Sequence, residues 1–358
     1  MTFETPGVRV TGEQDSAYAT HRGTVSGTGG PTGTPTRLQR QKQQKRSPVR
    51  VLVTGGAGFI GTNLVRRLVE MGHQPTVLDD LSTGLLSNLD GLDVELREVS
   101  LADAAAVSDA ALGMDAIVHL AARGSVPRSI ADPVATHLVN ATGTLNVLEA
   151  ARRQGASVIL SSSSSVYGAN TDLPKSEDMW TRPLSPYAAS KLAGESYALA
   201  YQTSYGLPVL ALRFFNVFGP WQRPDHDYAA VVPKWLWHLM QGEPIQVFGD
   251  GLQSRDFTYV DTVVDVLVDG LERQVSLATP VNLAFGNRFT LLSLIALMEE
   301  TLGERADVEF LDVRPGDVRD SENDPTLLRE AFPSVQPTDL SEALTATASW
   351  LREHYLTR

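Results

Sequence analysis

The stretch from Thr54 to Gly61, TGGAGFIG, decides the fold of this 358-residue chain. It follows a short β-branched run, Val49–Thr54, and precedes an amphipathic run, Ile60–Met71. This order predicts a strand, a tight turn and a helix. Gly55, Gly58 and Gly61 stand where the turn is tight, where backbone meets a pyrophosphate and where helix packs on strand. The stretch therefore predicts a dinucleotide site at the helix N-terminus.

An acidic residue, Asp79, follows 18 residues after Gly61, at the end of the next predicted strand, Pro75–Leu78. A carboxylate at this place accepts the ribose hydroxyls of a dinucleotide and repels a 2′-phosphate, so it favours NAD over NADP. Asp80 is adjacent and shares the candidate role. The plainer alternative is a structural glycine turn with Asp79 as a cap at the end of the strand.

Strands and helices alternate further along the chain. Strands are predicted at Ala116–Leu120, Ser157–Ser162 and Val209–Phe214, and helices at Val134–Gln154 and Tyr187–Tyr205. Such alternation predicts an α/β fold with a doubly wound parallel sheet covered on both faces. Beyond Phe218 the pattern is looser and richer in Pro and Trp, which predicts a smaller, interleaved C-terminal substrate domain.

Three segments follow from these patterns. Residues 1–47 lack hydrophobic periodicity and predict a disordered extension. Its basic run at 37–46 is interpreted as solvated or as upstream of the true start, and the alternative is contact with an acidic surface. Residues 48–217 are predicted to form the dinucleotide-binding domain, to which segments around 254–285 return. Residues 218–358 are predicted to be mainly the substrate domain.

Composition excludes several classes of protein. The formal net charge is −12, and because the N-terminal extension is basic the body is still more acidic, which argues against a nucleic-acid partner. No apolar run approaches the ~18 residues of a membrane span. There is no cysteine, so disulfides and thiolate ligands are excluded and a cytoplasmic location is expected.

A second motif, YAASK, places Tyr187 and Lys191 four residues apart on one face of a helix. The ordinary tyrosine pKa of ~10 makes a poor base, and a nearby ammonium together with NAD⁺ is expected to lower the pKa of Tyr187. The serine run of Ser161–Gly168, SSSSSVYG, ends a strand at the edge of the sheet where ligands bind. A hydroxyl there can align a reacting hydroxyl with Tyr187, although composition leaves open which serine does so.

A series of motifs, in this order, resembles one known family. They are TGGAGFIG, DDLSTG (79–84), HLAARGSV (119–126), SSSSSVYG, SPYAASKLAGE (185–195), LRFFNVFGP (212–220), SRDFTYVDT (254–262) and RPGDVR (314–319). The chain resembles the NAD-dependent epimerase/dehydratase branch of the extended short-chain dehydrogenase/reductases, in particular UDP-glucose and UDP-N-acetylglucosamine 4-epimerases. The resemblance covers roughly residues 49–350, and it implies a Rossmann fold with NAD as cofactor.

The resemblance also implies residue roles. The implied catalytic residues are Ser163, Tyr187 and Lys191. The implied cofactor-binding residues are Gly55, Gly58, Phe59, Ile60, Gly61, Asp79, Asp80, Ala121, Ala122 and Asn140, together with Tyr187 and Lys191. The implied substrate-binding residues are Ser125, Ser163, Asn216, Arg255, Arg314, Asp317 and Ser321. A homodimer through helices 134–154 and 186–205 is implied as well.

Within the implied substrate site, Arg255 and Arg314 would grip the diphosphate, since the guanidinium fork suits phosphate oxygens. Asp317 would bind ribose, and Ser321 aligns with a position beside the sugar C2, where a small residue would admit an N-acetyl group. One departure from the family is Val99-Ser100, which stands where relatives often have Gly-Asp near adenine. Adenine would then be held less tightly, or by Ser100 and backbone groups.

The reaction type follows from what the serine run lacks. Dehydratase relatives carry Asp-Glu and decarboxylase relatives a Glu beside the hydroxyl, because elimination needs an extra acid and base. The run 161–165 offers only hydroxyls, which favours a 4-epimerase acting on a UDP-sugar, or on a dTDP-sugar, through a transient 4-keto sugar. The alternatives are a nucleotide-sugar dehydrogenase, reductase or dehydratase, and a non-catalytic NAD-sensing protein. No metal is expected, and Asp225-His226-Asp227 is interpreted as a solvated loop.

Overall fold

The computed structural model describes residues 47–225, 229–313 and 319–356. The predicted extension therefore lies outside the described residues, apart from Ser47. The strands are β1 Arg50–Thr54, β2 Gln74–Asp79, β3 Glu95–Glu98, β4 Ala116–His119, β5 Ser157–Ser163, β6 Val209–Phe214, β7 Val217–Phe218, β8 Ile245–Phe248, β9 Ser254–Asp256, β10 Thr258–Tyr259, β11 Val281–Leu283, β12 Arg288–Thr290 and β13 Val308–Leu311.

The described α-helices complete the alternation. They are α1 Phe59–Glu70, α2 Ala104–Ala110, α3 Val126–Ala131, α4 Pro133–His137, α5 Gly143–Gln154, α6 Pro186–Tyr205, α7 Val231–Gln241, α8 Val260–Glu272, α9 Leu291–Leu302, α10 Thr326–Ala331 and α11 Leu340–Leu351. Single turns of 3₁₀ helix lie at Leu86–Leu89 and Ser164–Tyr167, and π-helical segments at Leu138–Thr142 and Arg352–Leu356. None of the helices in the described ranges is long and apolar enough to cross a bilayer.

Seven parallel strands form the central sheet, in the order β11-β6-β5-β4-β1-β2-β3. Successive residues of β1 point to opposite faces, so Val51 and Val53 pack into one apolar cluster with Leu64 of α1, whereas Leu52 packs into the other with Leu148 of α5. Because both faces are covered, the inner strands are mainly apolar, whereas the edge strand β3 is charged and largely exposed. The predicted α/β class and doubly wound sheet are confirmed.

Two predicted helices differ from the structure in instructive ways. The predicted helix 134–154 is a helical run from Pro133 to Gln154 interrupted by a π-helical segment at Leu138–Thr142, and it ends at Gly155 with φ +68°. Such π segments recur at functional sites. Helix α6 begins one residue before the predicted start, because Ser185 caps it by accepting a hydrogen bond from the Ala188 N–H at 3.2 Å.

The C-terminal part packs onto the sheet domain. Helix α11 contacts α7, and one apolar cluster joins Leu236 of α7 to Leu64 of α1. Outside the central sheet, β8 pairs with β13, β9 with β12 and β7 with β10. The division of the chain at residues 217 and 218 stays a prediction.

A buried carboxylate, Asp256, joins the segments of this region. It accepts hydrogen bonds from the backbone N–H groups of Gly286 at 3.0 Å and Asn323 at 3.3 Å, and burial raises its pKa from 3.8 to about 7. Between about pH 4 and 7 the folded chain holds a proton that the unfolded chain has lost. The free energy of unfolding should therefore fall as pH rises through this window.

We expect that loss to be on the order of 2–4 kcal/mol between pH 4 and 8, at about 1.4 kcal/mol per pKa unit, and to be smaller in Asp256→Asn. Urea unfolding of both proteins at several pH values measures it. Identical pH dependence in the two proteins would rule out Asp256 as its source.

Candidate active site

A cavity of about 970 Å³ lies at the carboxyl ends of the central strands. Most of the residues predicted from the motifs line it: Gly55, Gly58, Phe59, Ile60, Gly61, Asp79, Asp80, Ala121, Ala122, Ser125, Ser163, Tyr187, Lys191 and Asn216. Ligands of doubly wound sheets bind at this edge. The structure thus brings the glycine turn, the serine run and the Tyr–Lys pair to one cavity.

The glycine turn forms a cradle that side chains would fill. Gly55 has φ +72°, and a Cβ on it would lie 2.7 Å from the backbone nitrogen of Ala121. A Cβ on Gly61 would overlap the carbonyl oxygen of Gly55. Helix α1 begins without a side-chain cap on Gly58, so its first N–H groups are left for a ligand phosphate. These features fit the pyrophosphate of a dinucleotide.

Asp79 borders the cavity and also holds the turn. Its carboxylate accepts hydrogen bonds from the N–H groups of Ala57 at 3.0 Å and Leu81 at 2.9 Å, and burial raises its pKa. The two interpretations of this residue, ligand contact and strand-end cap, are therefore compatible. Asp80 accepts hydrogen bonds from the N–H and the hydroxyl of Ser82.

The wall beyond β3 differs from the expectation for adenine. Val99 and Leu101 line the cavity, whereas the hydroxyl of Ser100 accepts a hydrogen bond from the Ala102 N–H at 3.3 Å. Ser100 caps its own turn and does not line the cavity, which favours the first of the two expectations, a looser hold on adenine.

Ser163 and Tyr187 are hydrogen-bonded through their side chains. The Ser163 oxygen also accepts hydrogen bonds from the N–H of Ser165 at 3.2 Å and from its hydroxyl at 2.8 Å. Because the Ser163 oxygen accepts both of these hydrogen bonds, its own hydroxyl proton is available for donation to the Tyr187 oxygen. The geometry therefore singles out one serine where composition left several open.

Burial raises the pKa of Tyr187, and the hydrogen bond from Ser163 lowers it by less. Lys191 is not a cause of this shift, because its ammonium donates to the carbonyl oxygen of Ser161 at 2.9 Å and to its hydroxyl at 3.3 Å. The predicted lowering of the Tyr187 pKa by Lys191 together with NAD⁺ stays a prediction. Burial lowers the pKa of Lys191 to about 8.

Asn140 is buried and does not line either cavity described here. Its side-chain oxygen accepts from the Arg123 N–H at 2.7 Å, and its amide donates to the Ser190 hydroxyl at 2.9 Å. Ser190 in turn donates to the carbonyl oxygen of Tyr187 at 2.7 Å. Asn140 therefore connects the loop after β4 to the helix that carries Tyr187.

His119, at the end of β4, was not predicted as a site residue. Its Nδ1 lies 2.7 Å from the Thr54 hydroxyl and its Nε2 lies 3.0 Å from the Thr144 hydroxyl, which itself donates to the Asn140 carbonyl at 2.6 Å. The proton is thus placed on Nε2. Burial, then the charge of Lys191, lowers the pKa of His119 to about 3, so the imidazole is neutral. His119 is the first residue of the motif HLAARGSV, which is the sequence feature that could have identified it.

A second cavity, of about 400 Å³, adjoins the first and shares Ser125, Asn216, Val217 and Ala230 with it. Its other lining residues include apolar and aromatic side chains and two cations: Trp235, Phe248, Phe257, Leu291, Lys234 and Arg255. Arg255 donates to the carbonyl oxygens of Ser254 at 2.8 Å and Arg319 at 2.9 Å. An apolar pocket bordered by a guanidinium suits a base and phosphate.

Asn216 and Ser321 occupy different surroundings. Asn216 has φ +32° and donates to the carbonyl oxygen of Asp256 at 2.9 Å. Ser321 lines neither cavity, and its N–H donates to Ser254. The predicted Arg314 and Asp317 lie outside the described residues, as do His226 and Asp227.

Sequence reasoning missed several wall residues of the larger cavity: Ser82, Thr83, Leu101, Arg123 and Arg128. Arg123 stands inside the motif HLAARGSV, which could have identified it. Gln222 and Ala230 also line this cavity, and they belong to the loop 220–233, which the family resemblance assigns to the nucleotide-sugar site.

Carboxylates are sparse around the serine run. Among the described residues that line the two cavities, the carboxylates are Asp79 and Asp80, both at the end of β2. Glu195 lies behind the run, where it accepts from the Ser162 hydroxyl at 2.6 Å and pairs with Arg213 at 2.7 Å. Glu195 is buried, its carboxylate is bound to Ser162 and Arg213, and it does not face the cavity.

Comparison with known proteins agrees with this site. Residues 51–284 match the NAD dependent epimerase/dehydratase family. The chain is 37% identical to a UDP-glucose 4-epimerase of Mycolicibacterium smegmatis, over 85% of this chain and 99% of the relative. The structure of a UDP-N-acetylglucosamine 4-epimerase from Methanobrevibacter ruminantium M1, in complex with UDP-N-acetylmuramic acid, superposes with a TM-score of 0.81 at 36% identity, over 86% and 99% of the two chains.

A relative with a different activity is also similar. TunA, an NAD-dependent NDP-hexosamine 5,6-dehydratase, has a TM-score of 0.77 at 33% identity, over 87% of this chain and all of its own. The family is thus common to epimerases and dehydratases, and its cofactor fits the glycine cradle. On its motifs, its sheet and these comparisons, the chain belongs to the NAD-dependent epimerase/dehydratase family of enzymes.

Proposed function

We propose that this protein is an NAD-dependent UDP-sugar 4-epimerase. The observation that carries the proposal is the hydrogen-bonded pair of Ser163 and Tyr187 in a cavity whose described carboxylates both lie at the end of β2. A phenol and a hydroxyl suffice to move one proton, whereas elimination needs a further acid and base.

In this proposal each residue of the site has a separate role in the reaction. Tyr187 takes the proton of the C4 hydroxyl, and Ser163 holds that hydroxyl in line. Lys191 fixes the strand end through Ser161. NAD⁺ held at the glycine turn would supply a hydride acceptor for C4 and a positive charge that favours the Tyr187 phenolate. The 4-keto sugar turns about its link to the diphosphate, which the second cavity and Arg255 anchor. The opposite face is then presented for reduction, and Tyr187 returns the proton to the C4 oxygen.

Two substrate pairs are consistent with the site. These are UDP-glucose with UDP-galactose, and UDP-GlcNAc with UDP-GalNAc. The relatives named above include enzymes of both kinds. By the family resemblance a small residue at Ser321 favours the N-acetylated pair, but Ser321 does not line either cavity.

The second candidate is a dehydratase, and the similarity to TunA is the observation that favours it. The two functions separate in one experiment. Purified protein is incubated with UDP-glucose, UDP-GlcNAc and dTDP-glucose without added reductant, and the products are identified by mass spectrometry and NMR. We expect the C4 epimer at unchanged mass. A product lighter by one water, or net release of NADH, would contradict the epimerase.

We also propose a homodimer. Helices α3, α4 and α6 contact one another, and they carry the exposed apolar side chains Ile130, Val134 and Tyr197. Exposed apolar patches of this kind mark interfaces. Size-exclusion chromatography with light scattering is expected to give twice the chain mass of 38.7 kDa, and a monomer at micromolar concentration would contradict the proposal.

A further inference from the structure

The segment from Gly219 to Asp225 connects the sheet domain to the C-terminal helices. Within it, the Trp221 ring lies 5.6 Å from the Trp350 ring and 5.5 Å from the His354 ring, between ring centroids. The guanidinium carbon of Arg66 lies 4.3 Å from the same Trp221 centroid. Trp221 is thus held by aromatic contacts and by a cation–π contact.

The backbone of Trp221 is strained. Its φ is +70°, a left-handed conformation that bulky residues rarely adopt. Such a conformation persists only where the surroundings impose it, and strain of this kind clusters at functional sites. Here the surroundings are the aromatic cluster Trp350, His354 and Tyr355, hereafter the C-terminal cluster.

The strained residue lies next to the cavity. Gln222 lines the larger cavity, and Arg223 forms a side-chain hydrogen bond with Tyr355. On the other side, the Asn63 amide of α1 donates to the carbonyl oxygen of Pro220 at 3.0 Å. The segment is therefore fixed both to the helix of the glycine turn and to the C-terminus.

The same cluster contacts the wall of the second cavity. The Trp237 ring of α7 lies 5.5 Å from the Tyr355 ring, and α11, which carries Trp350, packs against α7. The start of α7 lines the second cavity through Val231 and Val232. One cluster thus contacts a residue beside the wall of the larger cavity and the helix that forms a wall of the smaller one.

We propose that the C-terminal cluster positions the walls of both cavities, and that Trp350 is a positioning residue for the nucleotide moiety of the substrate. This inference rests on the proposed function for the identity of the ligand. Without the Trp350 ring, Trp221 is free to leave its strained conformation, and Gln222 and the first turn of α7 then shift. The chemistry at Tyr187 does not depend on that ring.

The test is Trp350→Ala, measured with UDP by isothermal titration calorimetry and with the UDP-sugar by steady-state kinetics. We expect about a tenfold weaker affinity for UDP and a KM raised about tenfold, with kcat within about twofold, because three aromatic contacts are lost. Trp350→Phe, which keeps a ring, should restore most of the affinity. Trp180→Ala, which removes an exposed tryptophan, is the matched control and should behave as wild type.

A second variant, Tyr355→Phe, removes only the hydroxyl that Arg223 contacts, and it should raise KM by about twofold to threefold with unchanged melting temperature. Wild-type affinity for UDP in Trp350→Ala, or a lowered melting temperature with unchanged KM, overturns the inference. If the wild type turns over no UDP-sugar, the proposed function fails, while the UDP titration still decides this inference. A wild type that does not bind UDP overturns it as well.

Discussion

Tyr187→Phe is expected to lower kcat about 10³-fold while the protein keeps its fold and its bound NAD. The phenol oxygen is the group placed to take the proton from the sugar, it is hydrogen-bonded to Ser163, and general acid–base groups contribute 10²–10⁴-fold. Phenylalanine keeps the ring and lacks only this hydroxyl, so it fills nearly the same space. Epimer formation is measured by NMR, and NAD content by absorbance after denaturation.

Tyr205→Phe is the matched control, since Tyr205 ends the same helix and is exposed. Its kcat should equal that of the wild type. If Tyr187→Phe kept more than a third of the wild-type kcat with NAD bound, Tyr187 would not be the base.

Glu195→Ala is expected to have the largest effect on stability. Glu195 and Arg213 form an ion pair whose side chains are 3% and 5% exposed, and the same carboxylate accepts the hydroxyl proton of Ser162. Removing one partner leaves the Arg213 charge buried and unpaired, which typically costs about 3–5 kcal/mol. Urea unfolding should show this loss in the free energy of unfolding, together with lower activity, because Ser162 adjoins Ser163.

Glu95→Ala provides the comparison. Glu95 pairs with Arg97 at 2.8 Å, but both side chains are more than half exposed, so its removal should change the free energy of unfolding by well under about 1 kcal/mol. Equal effects of the two substitutions would show that burial does not decide the role of Glu195.

The fold could be predicted from the sequence because its signals are local. TGGAGFIG requires a turn that only glycine fits at Gly55 and Gly61, and apolar runs bounded by caps such as Ser185 and Gly155 define the elements within about two residues. The π-helical interruption at Leu138–Thr142 could not be predicted, because its apolar pattern is that of an ordinary helix.

The candidate site was predictable where residue type limits the chemistry. The places of Tyr187, Lys191 and the serine run in the site could be predicted from their spacing and from the rule that ligands bind at the carboxyl ends of the strands. The pKa of Tyr187 could not be read from spacing, since it depends on burial and on where the Lys191 ammonium points. The network of His119, Thr54 and Thr144 and the placement of Gln222 depend on contacts between distant segments, which no single motif contains.

The most direct test of the proposed 4-epimerase reaction uses substrates labelled with deuterium at C4. UDP-GlcNAc and UDP-glucose deuterated at C4 are incubated with the purified protein in ordinary water, and the products are analysed by NMR and mass spectrometry. If Tyr187 moves only the hydroxyl proton while hydrogen leaves and returns at one carbon, the epimer should keep its deuterium at C4. Deuterium lost to solvent or transferred to C6 with loss of water, or an unchanged substrate in the presence of bound NAD, would contradict it.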